Sequence, residues 1–160
     1  MRETLLTINA VYFLFGATIY CGVMWSLRYF FYPSWSKMNV GNVQDHFIIP
    51  TTAATKFFLV VVPLMMFSAL VMVITEWGEG QAFVAALVCL AGIIVSTYVG
   101  WIHIIPVNRT IKAGVADDAA LVPLLRTWMR LNNIRWVTVT IMWGAAVWFI
   151  IAIGDFTSAV

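Results

Sequence analysis

The residues best able to do chemistry are crowded into one stretch, Trp101 to Trp136. It reads WIHIIPVNR, then a short connection, then WMRLNNIRW. It holds His103, Asn108, Arg109, Arg126, Arg130, Asn132, Asn133 and Arg135, and five of the chain's nine basic residues fall inside it. His46 is the other histidine. An arginine offers a forked set of donors to a carbonyl, phenolate or carboxylate. A histidine can act as a general base near neutral pH or ligate a metal. Trp101, Trp128 and Trp136, with Tyr20, Trp25, Tyr29 and Tyr98, supply flat surfaces that could sandwich an aromatic ligand, although interfacial belts and packing account for such residues equally well. His46 and His103, with Asp45 as a conceivable third ligand, leave a haem, iron or copper site open without defining one. No Gly-rich phosphate loop, nucleophile elbow, cysteine pair or zinc-helix motif occurs. Cys21 and Cys89 each sit inside an apolar run and read as small hydrophobes.

The elements that must position these groups are membrane spans. The chain has 160 residues, 62% hydrophobic and 10% charged. A soluble domain carries about 25% charged residues, and a globule this small cannot hide so much apolar surface. The bilayer is therefore the natural solvent, and the net charge of +2 gives no ground for nucleic-acid binding. Four apolar stretches emerge, at about 5–27, 57–74, 81–105 and 136–154, the last extended back to about 122. The first is too long for a signal peptide and lacks a small-residue cleavage site. Pro50 is expected to start the second helix and Pro106 to end or kink the third. A polar connection is expected at about 34–44 and another at 107–121. Gly92, Ser96 and Gly100 recur every four residues, which fits close helix packing or a ligand groove. The expected fold is all-α: one integral membrane four-helix bundle over residues 1–160.

Basic residues set the orientation. Connections one and three and their flanks hold Arg28, Lys37, Lys56, Arg109, Lys112, Arg126, Arg130 and Arg135; only Arg2 lies on the other side. The positive-inside rule then puts both termini on the outer side and connections one and three in the cytoplasm, as for a bacterial inner membrane protein. The titratable groups fall at that cytoplasmic end, where ionisable side chains in a span face partners, water or a site. On a helical wheel, Arg126, Arg130 and Asn133 share one face of the fourth helix, and Leu131 and Arg135 point the other way. Arg126 and Arg130 could equally snorkel to headgroups.

The pair Pro106-x-Asn108, followed by a W-x-x-x-N-x-x-R pattern read with Trp128, Asn132 and Arg135, resembles the anthrone-oxygenase-like family of small four-span membrane proteins. The likeness covers nearly the whole chain by architecture, and its specific motifs lie within 103–136. It implies a site at Asn108, Trp128, Asn132 and Arg135, against the wheel's preference for Arg130 and Asn133. It also implies a membrane oxygenase that oxidises an apolar aromatic molecule. In that reading Arg135 or Arg130 stabilises a developing phenolate, His103 or His46 removes the proton, and Asn108, Trp128, Asn132, Asn133 and Trp101 hold the substrate. The carbanion then reacts with dioxygen without a metal. Two other classes compete. One is a non-enzymatic membrane subunit, whether a homo-oligomer or a partner in a larger complex. The other is a small-molecule, haem or metal-binding membrane protein.

Overall fold

The computed structural model describes residues 2–78 and 80–154. The tail at 155–160 and Glu79 of the acidic turn lie outside the described residues, as do the side chains of Arg2 and Glu3. The fold is all-α, and four helices are long and apolar enough to cross a membrane: Thr4–Trp35, Gln44–Thr75, Gly80–Lys112 and Asp118–Ile153. Each packs on its neighbours in cyclic order, first on second, second on third, third on fourth and fourth on first.

Side-chain bonds fix the antiparallel register. Asn9 Nδ2 donates to the Ser68 carbonyl and Ser68 Oγ to the Asn9 carbonyl, both at 3.1 Å, which pins the start of the first helix to the end of the second. Trp143 Nε1 donates to Thr18 Oγ1 and Trp25 Nε1 to Thr140 Oγ1, each at 3.1 Å, which pins the first helix to the fourth. A Cβ added at Gly92 would stand 2.8 Å from Met142 Cβ, so this glycine sets the close approach of the third and fourth helices. Outward faces carry large apolar side chains such as Leu5, Phe15, Val60, Phe67 and Ile141, as a bilayer-facing surface requires.

The helices outrun the apolar stretches because prolines do not stop them. The second begins at Gln44, six residues before Pro50, and the third passes through Pro106 to Lys112. The fourth starts at Asp118, with the Asp117 carboxylate capping the Ala120 N–H at 2.9 Å. Connection one shrinks accordingly to 36–43 and connection three to 113–117, which Gly114 opens at φ 99°. Three π-helical turns make this possible: Leu27–Phe31, Gln44–Ile48 and Val99–Ile104. Each ends two residues before a proline, Pro33, Pro50 or Pro106. A proline ring strikes the carbonyl four residues back. Here those carbonyls belong to Tyr29, His46 and Ile102, all inside the widened turns, whose closing N–H groups at Tyr32, Ile49 and Ile105 bond five residues back instead.

Buried side chains form two cores. One, toward the ends of the bundle where residues 4 and 153 lie, contains Phe13, Ala17, Met65, Met72, Ala85, Cys89, Val139, Met142 and Phe149. The other contains Trp35, Met38, Val43, Phe47, Val99, Ile104, Leu121, Leu125 and Trp128. Connection one belongs to this second core, and Val40 N–H bonds Asp118 Oδ1 at 2.7 Å to hold it against the fourth helix. A cavity lies where the two meet, lined by Tyr20 and Met24 of the first and Trp35, Ile104 and Trp128 of the second.

Candidate functional site

The cavity has a volume of about 290 Å³ and draws lining residues from all four helices. That is close to the lower end of the range for small-molecule sites, roughly 300–1,000 Å³. Its long wall is the second helix from Pro50 to Val62. Between Ile49 and Val62 only Thr51 is buried, whereas past Pro63 the same helix buries Met65, Ser68, Ala69, Met72 and Val73. The helix thus packs firmly at one half and stands over the cavity with the other. Phe31, Leu59 and Trp101 line the cavity and are also exposed, so its rim is apolar and faces outward between helices.

Most of the wall is silent toward polar ligands. Thr51, Thr55 and Thr97 line it, but each hydroxyl donates to the carbonyl one turn back, at 2.6, 2.7 and 2.6 Å. Such back-bonding is the usual fate of a threonine inside a helix. What remains polar is Tyr20, Ser96, Asn108, Asn132 and Arg135, with the indoles of Trp35, Trp101 and Trp128.

Arg135 organises the inner end. Its Nη1 donates to Asn132 Oδ1 at 2.8 Å, its Nη2 to Tyr20 Oη, and its Nε to Ser96 Oγ at 3.5 Å. Tyr20 Oη and Ser96 Oγ share a further hydrogen bond of 2.7 Å. Asn132 Nδ2 is anchored on the Trp128 carbonyl at 3.1 Å, so its amide orientation is fixed from behind. All these partners are neutral. The four helices contain only Asp45 and Asp118 as acidic residues, both exposed near helix starts. Three of the guanidinium's N–H groups are engaged, and the fork keeps donors in reserve. Two buried atoms farther along have no hydrogen-bond partner: Asn108 Oδ1 and Trp128 Nε1.

The residues expected from the sequence divide cleanly. Asn108, Trp128, Asn132, Arg135 and Trp101 line the cavity together. Asn133 does not: its Oδ1 accepts from Arg28 Nη1 at 2.6 Å, and Arg28 lies over the Trp136 ring at 4.3 Å. Arg130 and Arg126 are exposed and outside the lining, on a face of the fourth helix that does not meet the cavity. His46 and His103 are exposed and outside it as well; His103 meets the Tyr98 ring edge-on at 5.9 Å.

The π turn at Val99–Ile104 explains the placement of His103. Counting straight α-helical turns from inward-facing Ser96 leads to His103 and then Val107. The widened turn holds one extra residue, so the inward positions become Ile104 and Asn108, both buried. Among the described residues no group of three or more His, Cys, Asp or Glu comes together to hold a metal ion. The stripe of small residues divides: Gly92 packs on Met142, while Ser96 and Gly100 line the cavity.

Sequence reasoning passed over Tyr20 as a site residue in its own right. It is 1% exposed, lies tilted against the Phe58 ring at 4.6 Å between centroids, and accepts from Arg135. Only its phenol in the middle of a span could have marked it. Comparison with protein-family models, curated proteins and solved structures finds no match.

Proposed function

We propose that this integral membrane protein takes an apolar aromatic molecule with one acidic oxygen into the cavity, seats that oxygen on Arg135, and exposes the electron-rich ring to dioxygen. The likeness to the anthrone-oxygenase-like family points the same way. The observation that carries the reading is the half-buried guanidinium of Arg135, which lines an apolar cavity with neutral partners only. A cation in a span is costly unless an anion or water reaches it. A ligand oxyanion meets that demand, and the fork is already oriented by Asn132, Tyr20 and Ser96 before the ligand arrives.

With an anthrone, the ring methylene gives up a proton and the negative charge settles on the carbonyl oxygen beside Arg135. Dioxygen adds at the methylene carbon, and loss of water from the resulting hydroperoxide leaves a second carbonyl. One anthrone and one dioxygen give one quinone and one water. The lining holds no His, Asp, Glu or Lys, so the proton passes to water at the rim. That same lack of a base among the lining residues favours a second reading, in which the cavity binds its ligand without turning it over.

The bias of basic residues toward connections one and three supports a cavity in the cytoplasmic half of a bacterial inner membrane, with both termini outside. The apolar rim lets a lipid-soluble molecule enter sideways from the inner leaflet. The test is oxygen uptake with anthrone by purified wild type and Arg135→Leu in mild detergent. Uptake above the spontaneous rate, lost in a variant that stays inserted and monodisperse, supports the oxygenase. Equal uptake by Arg135→Leu removes Arg135 from the chemistry. Saturable binding of anthrone without uptake selects the binding protein.

A further inference from the structure

The geometry points to a second polar subsite in the same cavity, made by Asn108 and Trp128, which takes a hydroxyl of the ligand; the natural ligand therefore carries oxygen at two separated positions. This inference rests on the proposed reading of the cavity as a ligand site on Arg135. Asn108 and Trp128 are 9% and 4% exposed, both line the cavity, and Asn108 Oδ1 and Trp128 Nε1 are buried without a partner. Leaving a buried polar atom unsatisfied costs about 1–3 kcal/mol, so such atoms mark places where something else completes the bond. One orphan is an acceptor and the other a donor. A hydroxyl is the smallest group that both donates and accepts, and the threonine hydroxyls of the neighbouring wall already donate to their own helices.

The subsite is separate from the arginine. Trp128 and Arg135 are seven residues apart on one uninterrupted helix, a rise of about 10 Å at 1.5 Å per residue. Ser96 and Asn108 bracket the same interval on the third helix, with Thr97, Gly100, Trp101, Ile104 and Ile105 between them in the lining. The stretch from one polar end to the other is mostly apolar, its threonine hydroxyls being bonded to their own helices. A rigid or semi-rigid aromatic body with an acidic oxygen at one end and a hydroxyl at the other matches this order. A molecule with a single oxygen leaves Asn108 Oδ1 and Trp128 Nε1 unpaired or bonded to water.

The test compares p-phenylphenol, with one hydroxyl, and p,p′-biphenol, with one at each end, by calorimetric titration in detergent. The affinity ratio of the two probes is measured in wild type, Asn108→Leu, Trp128→Phe and Arg135→Leu. Partition into detergent cancels when ratios are compared between proteins. The expected ratio in wild type favours the two-headed probe by about tenfold more than in Asn108→Leu. Trp128→Phe, which removes only the ring N–H, lowers the ratio in the same direction and covers the case where Asn108→Leu does not fold. Arg135→Leu weakens both probes together. A ratio unchanged by both Asn108→Leu and Trp128→Phe means the orphans hold only water and overturns the second subsite, while the Arg135 reading stands. Failure of wild type to bind either probe overturns both.

Discussion

Arg135 on the fourth helix donates to the Tyr20 phenol on the first, and through that oxygen the guanidinium is coupled to Ser96 on the third. Removing the hydroxyl alone leaves Arg135 Nη2 without its acceptor and breaks the bond to Ser96 in a largely apolar setting. Tyr20→Phe is expected to cost about 1–3 kcal/mol, read as a lowered midpoint of thermal unfolding in detergent. A midpoint equal to that of wild type shows that the contact carries no net stability.

Arg135→Lys separates charge from shape. Lysine keeps the cation but presents a point charge that cannot hold Asn132, Tyr20 and Ser96 together and still offer a fork to a ligand. Affinity for p-phenylphenol is expected to fall about tenfold relative to wild type. Wild-type affinity in this variant makes the fork irrelevant and reduces Arg135 to its charge.

The glycines of the third helix differ in what a methyl group meets. At Gly92 the added Cβ lies 2.8 Å from Met142 Cβ; at Gly100 the nearest atom is Arg135 Cζ, at 3.9 Å. Gly92→Ala is expected to destabilise the bundle by about 1–3 kcal/mol, and Gly100→Ala to leave its unfolding midpoint nearly unchanged while altering the cavity beside Arg135. Equal stability losses at the two sites would falsify the division of this stripe into a packing part and a lining part.

His46 and His103 provide the sharpest check on the cavity's boundary. Both stand outside the lining, so His46→Ala, His103→Ala and the double variant are expected to keep wild-type affinity for p-phenylphenol and wild-type oxygen uptake with anthrone. More than a tenfold loss in either assay returns a histidine to the site.

Composition alone carries the four-helix membrane fold, because 62% hydrophobic residues in 160 leave no soluble alternative. Asn108, Trp128, Asn132 and Arg135, which line the cavity together, were legible as a motif. The wheel misled because it placed Arg130 and Asn133 by mutual proximity, with no means of knowing which face met the first and third helices. Arg28, a residue from another helix, claims Asn133. The helix starts were misread for a related reason. Proline is a local stop signal, and the π turns that absorb Pro50 and Pro106 have no signature in propensity. One of those turns also moved His103 out and Asn108 in. Tyr20 stayed hidden because its role depends on groups 76 and 115 residues away.

Because the cavity lies where the two packed cores meet, the two halves of the bundle are expected to open with different free energies. The half built on Phe13, Met65, Cys89 and Met142 holds together through direct contact. The other half has its own core around Trp35, Phe47 and Trp128, but there the second helix borders the gap between Ile49 and Val62 with one buried side chain. A molecule filling that gap acts as interior for both halves at once. Amide exchange along that stretch of the second helix then reports occupancy directly: fast and independent when the cavity holds only water, slowed to the rate of its neighbours when a ligand joins the two units into one.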